Sequence, residues 1–231
     1  MRSLVIDFHR LNTSNDSQKK KKKKQKVLLE RGARIDSASS DGQTALHEAA
    51  RRGSIEVVKV LLERGARIDA MSGDGRTVLH KAARWGSIEV VKVLLERGAR
   101  IDAVSGDGWT ALHEAASSMW GGIEAVKVLL ERGAGIDVLD QAGNTVLHCA
   151  VLAQLSRPWN RDNELTVQLL LDNGAGTDQK NARGQTALDL ARRSHQTRGL
   201  AELLSAHISN QTRRAWGLSW RSTGAGRGYT Y

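Results

Sequence analysis

The chain has 231 residues, 40% hydrophobic and only 4% aromatic, with a single proline and a formal charge of +10. So few aromatics and turn prolines argue against a sandwich or barrel and for helix. The lone cysteine, Cys149, excludes an intramolecular disulfide and fits a reducing compartment, and no apolar run is long enough for a signal-peptide core or a membrane span. These totals lead us to expect a soluble protein of the cytoplasm or nucleus.

Residues 1–26 carry nine Lys/Arg against Asp7 and Asp16, including the run Lys19, Lys20, Lys21, Lys22, Lys23 and Lys24 followed by Lys26. Such a block reads as a solvated, disordered segment. It also looks like a monopartite nuclear-import signal, and it offers a contact to nucleic acid or an acidic lipid surface. At the other end, 208–231 carries Arg213, Arg214, Arg221 and Arg227 with no acid, mixed with Gly, Trp and Tyr, and reads as a second disordered tail. The stretch between the two is nearly neutral, so a polyanion would be met by the tails alone.

Between the tails one phrase keeps returning. "DGQTALHEAA" begins at 41, "DGRTVLHKAA" at 74, "DGWTALHEAA" at 107, "AGNTVLHCAV" at 142 and "RGQTALDLAR" at 183. The steps are 33, 33, 35 and 41 residues. The eighteen residues "GSIEVVKVLLERGARIDA" stand at 53–70 and again, unchanged, at 86–103. A catalytic site is assembled once from unlike residues, whereas repetition at this period marks a unit that stacks on its copies.

Each unit predicts two short helices and a turn. In the copy at 40–72, Thr44 is placed to cap a helix over about 45–52, which Gly53 ends. A second helix over about 55–64 carries Ile55, Val58, Leu61 and Leu62 on one face and Glu56, Lys59 and Glu63 on the other. Gly65 falls where a left-handed cap belongs, and Asp74-Gly75 signals a turn after a short extended rise. One such unit buries too little to stand alone, and several together share a core.

This pattern resembles the ankyrin repeat, whose phrase runs D-x-x-G-x-T-P-L-H-x-A-A and then G-x-x-E-V-V-K-x-L-L-x-x-G-A. The matches are the Thr-x-Leu-His tetrads at 44–47, 77–80, 110–113 and 145–148, the glycines and the doubled leucines. The resemblance covers about 27–207 and implies an all-α-dominated helix-turn-helix solenoid with short β-turn connections. It divides the chain into a partial repeat at 27–39, units at about 40–72, 73–105, 106–140, 141–181 and 182–207, and the two tails. Several departures stand out. The proline before Leu-His is Ala45, Val78, Ala111, Val146 or Ala187, which should weaken each helix start slightly. "SSMWGG" at 117–122 lengthens one inter-helix turn, and "QLSRPWNRDN" at 154–163 is expected to bulge as a loop. The partial repeat lacks its first helix, so Ala45–Ala50 should be partly uncovered, and the expectation is that the first unit frays or that the chain is a fragment or mis-assembled version of a longer array. The last unit, with Asp189 in place of histidine, looks like a cap.

Candidate chemistry is thin. His47, His80, His113 and His148 recur, but units about 10 Å apart cannot share one ion, and the resemblance implies that each braces a turn. "HEAAR" and "HEAAS" lack the second histidine of a zinc-protease helix, since Arg51 and Ser117 stand there. Cys149, in "LHCAVL", reads as a packed thiol. No Walker loop, nucleophile elbow or dinucleotide fingerprint occurs, and nothing implies a metal or cofactor.

What remains is surface. In the ankyrin-like fold the turn tips and first helices line a concave groove where partners bind. Carried over by position, the groove would present Arg51, Arg52, Arg76, Arg84, Trp85, Trp109 and Trp120. Arginine and tryptophan are the types that most often dominate interface energy. The plain alternative is that these arginines are merely solvated and Trp85 covers its neighbour. The expectation is a monomeric, non-catalytic module that binds another protein carrying an acidic or aromatic-rich segment. The alternative is a nuclear or nucleic-acid-associated protein whose tails contact a polyanion.

Overall fold

The computed structural model describes residues 34–119, 122–156 and 162–223. Along these residues run α1 (Ala45–Arg51), α2 (Ile55–Glu63), α3 (Val78–Arg84), α4 (Ile88–Glu96), α5 (Ala111–Ala116), α6 (Gly122–Glu131), α7 (Val146–Ser156), α8 (Asp162–Asp172) and α9 (Ala187–Ala191). A 3-10 turn (His195–Thr197) leads into α10 (Arg198–Thr223). Consecutive helices pair within a unit. First helices then stack α1–α3–α5–α7–α9, and second helices stack α2–α4–α6–α8–α10. The only bridges among the described residues are isolated ones, Ala38 to Thr44 and Met71 to Thr77. The expected helical solenoid is what forms.

The core follows from the apolar stripe of each unit. Leu46, Leu61, Leu79, Leu94, Leu112, Leu129 and Leu147 are fully buried, and alanines such as Ala49, Ala82 and Ala115 let neighbouring first helices approach. These residues belong to one continuous cluster, so no unit owns its core.

Each first helix starts on the same device. The Thr44 hydroxyl faces the His47 backbone N–H, and His47 Nδ1 accepts the Thr44 backbone N–H at 3.2 Å. The arrangement repeats at Thr77/His80, Thr110/His113 and Thr145/His148. This capping box satisfies the N-cap and N3 backbone N–H groups, which helps each short helix to start without proline at its first position. Because Nδ1 is the acceptor, the ring proton sits on Nε2. From there His47 donates to Arg76 O at 3.1 Å, His80 to Trp109 O at 2.8 Å and His148 to Gln185 O at 3.0 Å, each in the next unit. His113 keeps its capping box and lies against the Asn144 backbone of the next unit, but its Nε2 makes no hydrogen bond of normal geometry. In the last unit Asp189 Oδ2 accepts from the Thr186 N–H at 2.9 Å. An aspartate caps as well as an imidazole does and has nothing to donate onward, which suits a unit with no following turn.

Two further ladders tie the turns. Asp36, Asp69, Asp102 and Asp137 each accept the backbone N–H of the residue after the next Gly-Ala: Arg67, Arg100, Gly135 and Gly176, at 2.9–3.1 Å. At the tips the backbones touch directly, Gly73 N donating to Asp41 O and Gly106 N to Asp74 O. Here the turn glycine is needed twice. Gly75 has φ +76, and a Cβ there would lie 2.6 Å from Gly106 N.

Four expectations are corrected. Ala45–Ala50 are buried, not partly uncovered, because α1 packs against both α2 and α3. The uncovered-first-unit argument therefore fails for α1, while 27–33 lie outside the described residues. The insert is not all loop, since α7 takes in Gln154–Ser156 and α8 takes in Asp162 and Asn163; both Gln154 and Asn163 are buried. Pro158 lies outside the described residues. The C-terminal segment does not leave helix at 208, because α10 continues to Thr223. Its start packs through Leu200 and Leu204, and residues 209–214 are all exposed. Finally, α1 and α2 each end one residue early, with Arg52 and Arg64 as C-caps.

Gly65 also has positive φ, at +84, but nothing lies within 4 Å of its would-be Cβ. Gly65→Ala should therefore cost about 1–2 kcal/mol from the left-handed backbone alone. Gly75→Ala should cost about 2–4 kcal/mol, because overpacking adds to it. Urea denaturation of the two variants checks the ordering.

Burial lowers the pKa of His47, His80, His113 and His148 below the ordinary value, their carbonyl partners offsetting only part of the effect. The folded state thus binds fewer protons than the unfolded chain. The stabilising contribution is complete above about pH 6.5 and is lost as pH falls through the lower folded-state values. Protonating Nδ1 also removes the acceptor of a buried backbone N–H. The urea midpoint should fall between pH 7.5 and pH 5, about a range set by the histidine titration, and His80→Gln should flatten that dependence.

Candidate functional site

The C-terminal ends of α1, α3 and α5 and the turn residues that follow the tip glycines form one face. Of the expected site residues, Arg51, Arg52, Arg76, Arg84, Trp85 and Trp109 stand there, but most of the arginines are already engaged. Glu48, buried, accepts from Arg51 Nε at 2.8 Å, from Arg51 Nη2 at 2.7 Å and from Arg52 Nε. Burial pushes the Glu48 carboxyl up, and the hydrogen bonds from Arg51 and Arg52 more than reverse this, leaving it below its ordinary value. The Arg51 guanidinium also sits 5.4 Å from the Trp85 ring centroid, joining the first unit to the second by a cation–π contact.

Glu114 on α5 is the deepest charge on this face, with its side chain 1% exposed. It accepts from Arg76 Nε and, at 3.0 Å, from Arg84 Nη1, both belonging to the preceding unit. Arg76, 15% exposed, also reaches Asp74 and Asp107, each at 2.9 Å. Burial alone would make its guanidinium easier to deprotonate; these carboxylates, Glu114 first, hold it protonated beyond its ordinary value. Arg76 is therefore a brace between two units rather than a free binding group. Arg84 keeps an exposed head, with its side chain 48% accessible.

Between the second and third units a hollow of about 180 Å³ opens on this face, lined by Arg84, Trp85, Trp109, Glu114, Ser117, Ser118 and Met119. Trp85 is the C-cap of α3 and 41% exposed. Trp109 follows the tip glycine Gly108, its carbonyl holds His80, and its ring lies 6.0 Å from the His113 ring. Met119, 51% exposed, belongs to the insert after α5. Ser118 Oγ of the same insert donates to Arg84 O at 2.8 Å, fixing the insert against the preceding unit. Trp120 and Lys19–Lys26 lie outside the described residues.

Sequence reasoning found the tryptophans and missed the carboxylates that organise the arginines. Glu48 was legible, since acids three and four residues before arginines on a helix pair with them. Glu114 was not, because its partners lie 30 and 38 residues away. Met119 was visible only as part of an insert.

The other candidate groups resolve into packing. The recurring histidines are spent on caps and turns. Burial raises the Cys149 thiol far above its ordinary pKa, which disfavours the nucleophilic thiolate. No group of three potential metal ligands occurs among the described residues.

A family model for ankyrin repeats (3 copies) matches residues 17–105, 66–140, 101–157 and 124–214. The chain is an ankyrin-repeat protein. Ankyrin repeats are generally protein–protein interaction modules and generally non-catalytic. No curated protein matches the chain. No helix among the described residues is long and apolar enough to cross a membrane. In this ankyrin array the face just described is the one built from turn tips and first helices.

Glu114→Gln should cost about 1–3 kcal/mol by urea denaturation, less than the 3–5 kcal/mol of a fully buried pair because Arg76 keeps two aspartates and Arg84 is half exposed. Arg84→Ala should cost under about 1 kcal/mol. An unchanged midpoint for Glu114→Gln would mean the carboxylate does not hold the second and third units together.

Proposed function

We propose that the protein is a non-catalytic recognition module that holds a partner protein on the face made by the turn tips and first helices, centred on the second and third units. The observation that carries this reading is the exposure of Trp85 beside Trp109 and Met119. A large apolar group held half in water by a rigid scaffold is costly unless something covers it, and tryptophan at the centre of a patch is the usual anchor of an interface. The braced arginines support the reading in a different way. Their internal carboxylates fix the rim in place before a partner arrives, so less ordering entropy is lost on binding.

Among the described residues of the second helices Leu165 on α8 is a single exposed apolar side chain, with no exposed aromatic beside it. Glu89 and Lys92 pair along α4, and Arg97 and Arg132 reach Glu63 and Glu96 across units, which is the pattern of a solvated face.

Trp85→Ala and Trp109→Ala should each weaken partner binding by about 2 kcal/mol or more while leaving the array folded. Proximity labelling with the wild type, the double variant and a second-helix control, Lys92→Ala, checks this. Partners kept by Lys92→Ala and lost by the double variant are expected. An identical partner set for all three would reject the proposal, and loss of folding in Trp109→Ala would assign that ring to packing.

A further inference from the structure

We infer that the hollow between Trp85 and Trp109 receives one aromatic side chain of the partner, with an acidic residue next to it in the partner held by Arg84. This rests on the reading of the face as partner-binding and names the chemistry it selects.

Size comes first. An enclosed apolar cavity of about 150 Å³ is known to hold a benzene ring, and the hollow here is about 180 Å³ and open on one side. That is room for a single ring, not for a helix or a bare backbone. Three of its seven lining residues are two indoles and a thioether, which favour an aromatic guest through offset stacking and sulfur–ring contact, and the others, Arg84, Glu114, Ser117 and Ser118, are polar.

Charge decides what flanks the ring. An aromatic-walled site with a carboxylate at its base would ordinarily draw a cation. Here the Glu114 carboxylate is already held by two guanidiniums, so an incoming ammonium would gain little from it and would face Arg84. Of the two charged residues lining the hollow, Glu114 is buried and Arg84 keeps an exposed head, with one donor to Glu114 among its five, while Arg51 lies over Trp85. The exposed carboxylates of this face, Asp74 and Asp107, stand at the turn tips and are paired with Arg76. At the hollow itself the accessible charge is therefore cationic, which complements an acidic neighbour, and the planar fork of arginine suits a carboxylate.

The test uses the full chain labelled with nitrogen-15 and three capped tripeptides: acetyl-Glu-Phe-Glu-amide, acetyl-Lys-Phe-Lys-amide and acetyl-Glu-Ala-Glu-amide. The indole N–H signals of Trp85 and Trp109 report on the hollow. The acidic phenylalanine peptide should shift both with an affinity of about 1–10 mM, and the alanine peptide should not. The lysine peptide should bind about fivefold or more weakly. Arg84→Gln, checked by circular dichroism, should remove the preference for acid over base while keeping the ring-dependent shift. The inference is overturned if the lysine peptide binds as well or better, if the alanine peptide shifts the indoles equally, or if no peptide moves them. Partners lost from Trp85→Ala/Trp109→Ala in cells, together with silent indoles here, would keep the binding face and reject the aromatic-acid assignment. Unchanged partners would count against the face itself.

Discussion

In three of the four Thr-x-x-His pairs the imidazole does two jobs at once, and the array depends on both. Through Nδ1 it closes the start of its own first helix, and through Nε2 it grips the turn of the next unit. The two jobs require a neutral ring in one tautomer, and burial keeps it neutral. A helix that is too short to be stable by itself is thereby capped by the same group that ties it to its neighbour. Local structure and stacking become one cooperative event, which is the nearest-neighbour coupling expected of a solenoid.

The proposed binding face is a consequence of that coupling. Once the turn of the third unit is fixed by His80, Trp109 is carried to the lip of the hollow beside Trp85. Arg76, one residue beyond the tip glycine of the second unit, then lies within reach of Glu114 across the unit boundary. The face is thus preorganised by buried carboxylates that a partner never needs to touch. It is rigid where it is charged and open where it is apolar. The departures from strict repetition collect here too: the insert that brings Met119, and tryptophans at positions that hold other residues in the remaining units.

Much of the fold could be read directly. Threonine, glycine and paired leucines recur at constant spacing, and each acts within a few residues of itself, so helix ends were placed to within one residue in the first unit. The site was half legible. Trp85 and Trp109 could be put on the right face because the repeat tells where each position points. The role of Arg76 could not be read, because its carboxylate stands 38 residues away and nothing in the local pattern couples them. The length of α10 was missed because a stretch rich in arginine and polar residues carries no clear periodic apolar stripe to announce a helix.

The identical segments 53–70 and 86–103 separate the two kinds of information. Both form the same nine-residue helix between the same glycines, α2 and α4, because capping, propensity and backbone handedness are local and depend only on the letters. Yet α2 buries Val58 and Leu61, whereas α4 buries Val90, Val91, Val93 and Leu94. The sequence by itself determined the unit, its helices and its repeat. Which valines become core, and which arginines are braced by buried carboxylates, was decided only by the tertiary structure, because burial and charge pairing belong to a residue's neighbours in space, and these differ between one place in the stack and the next.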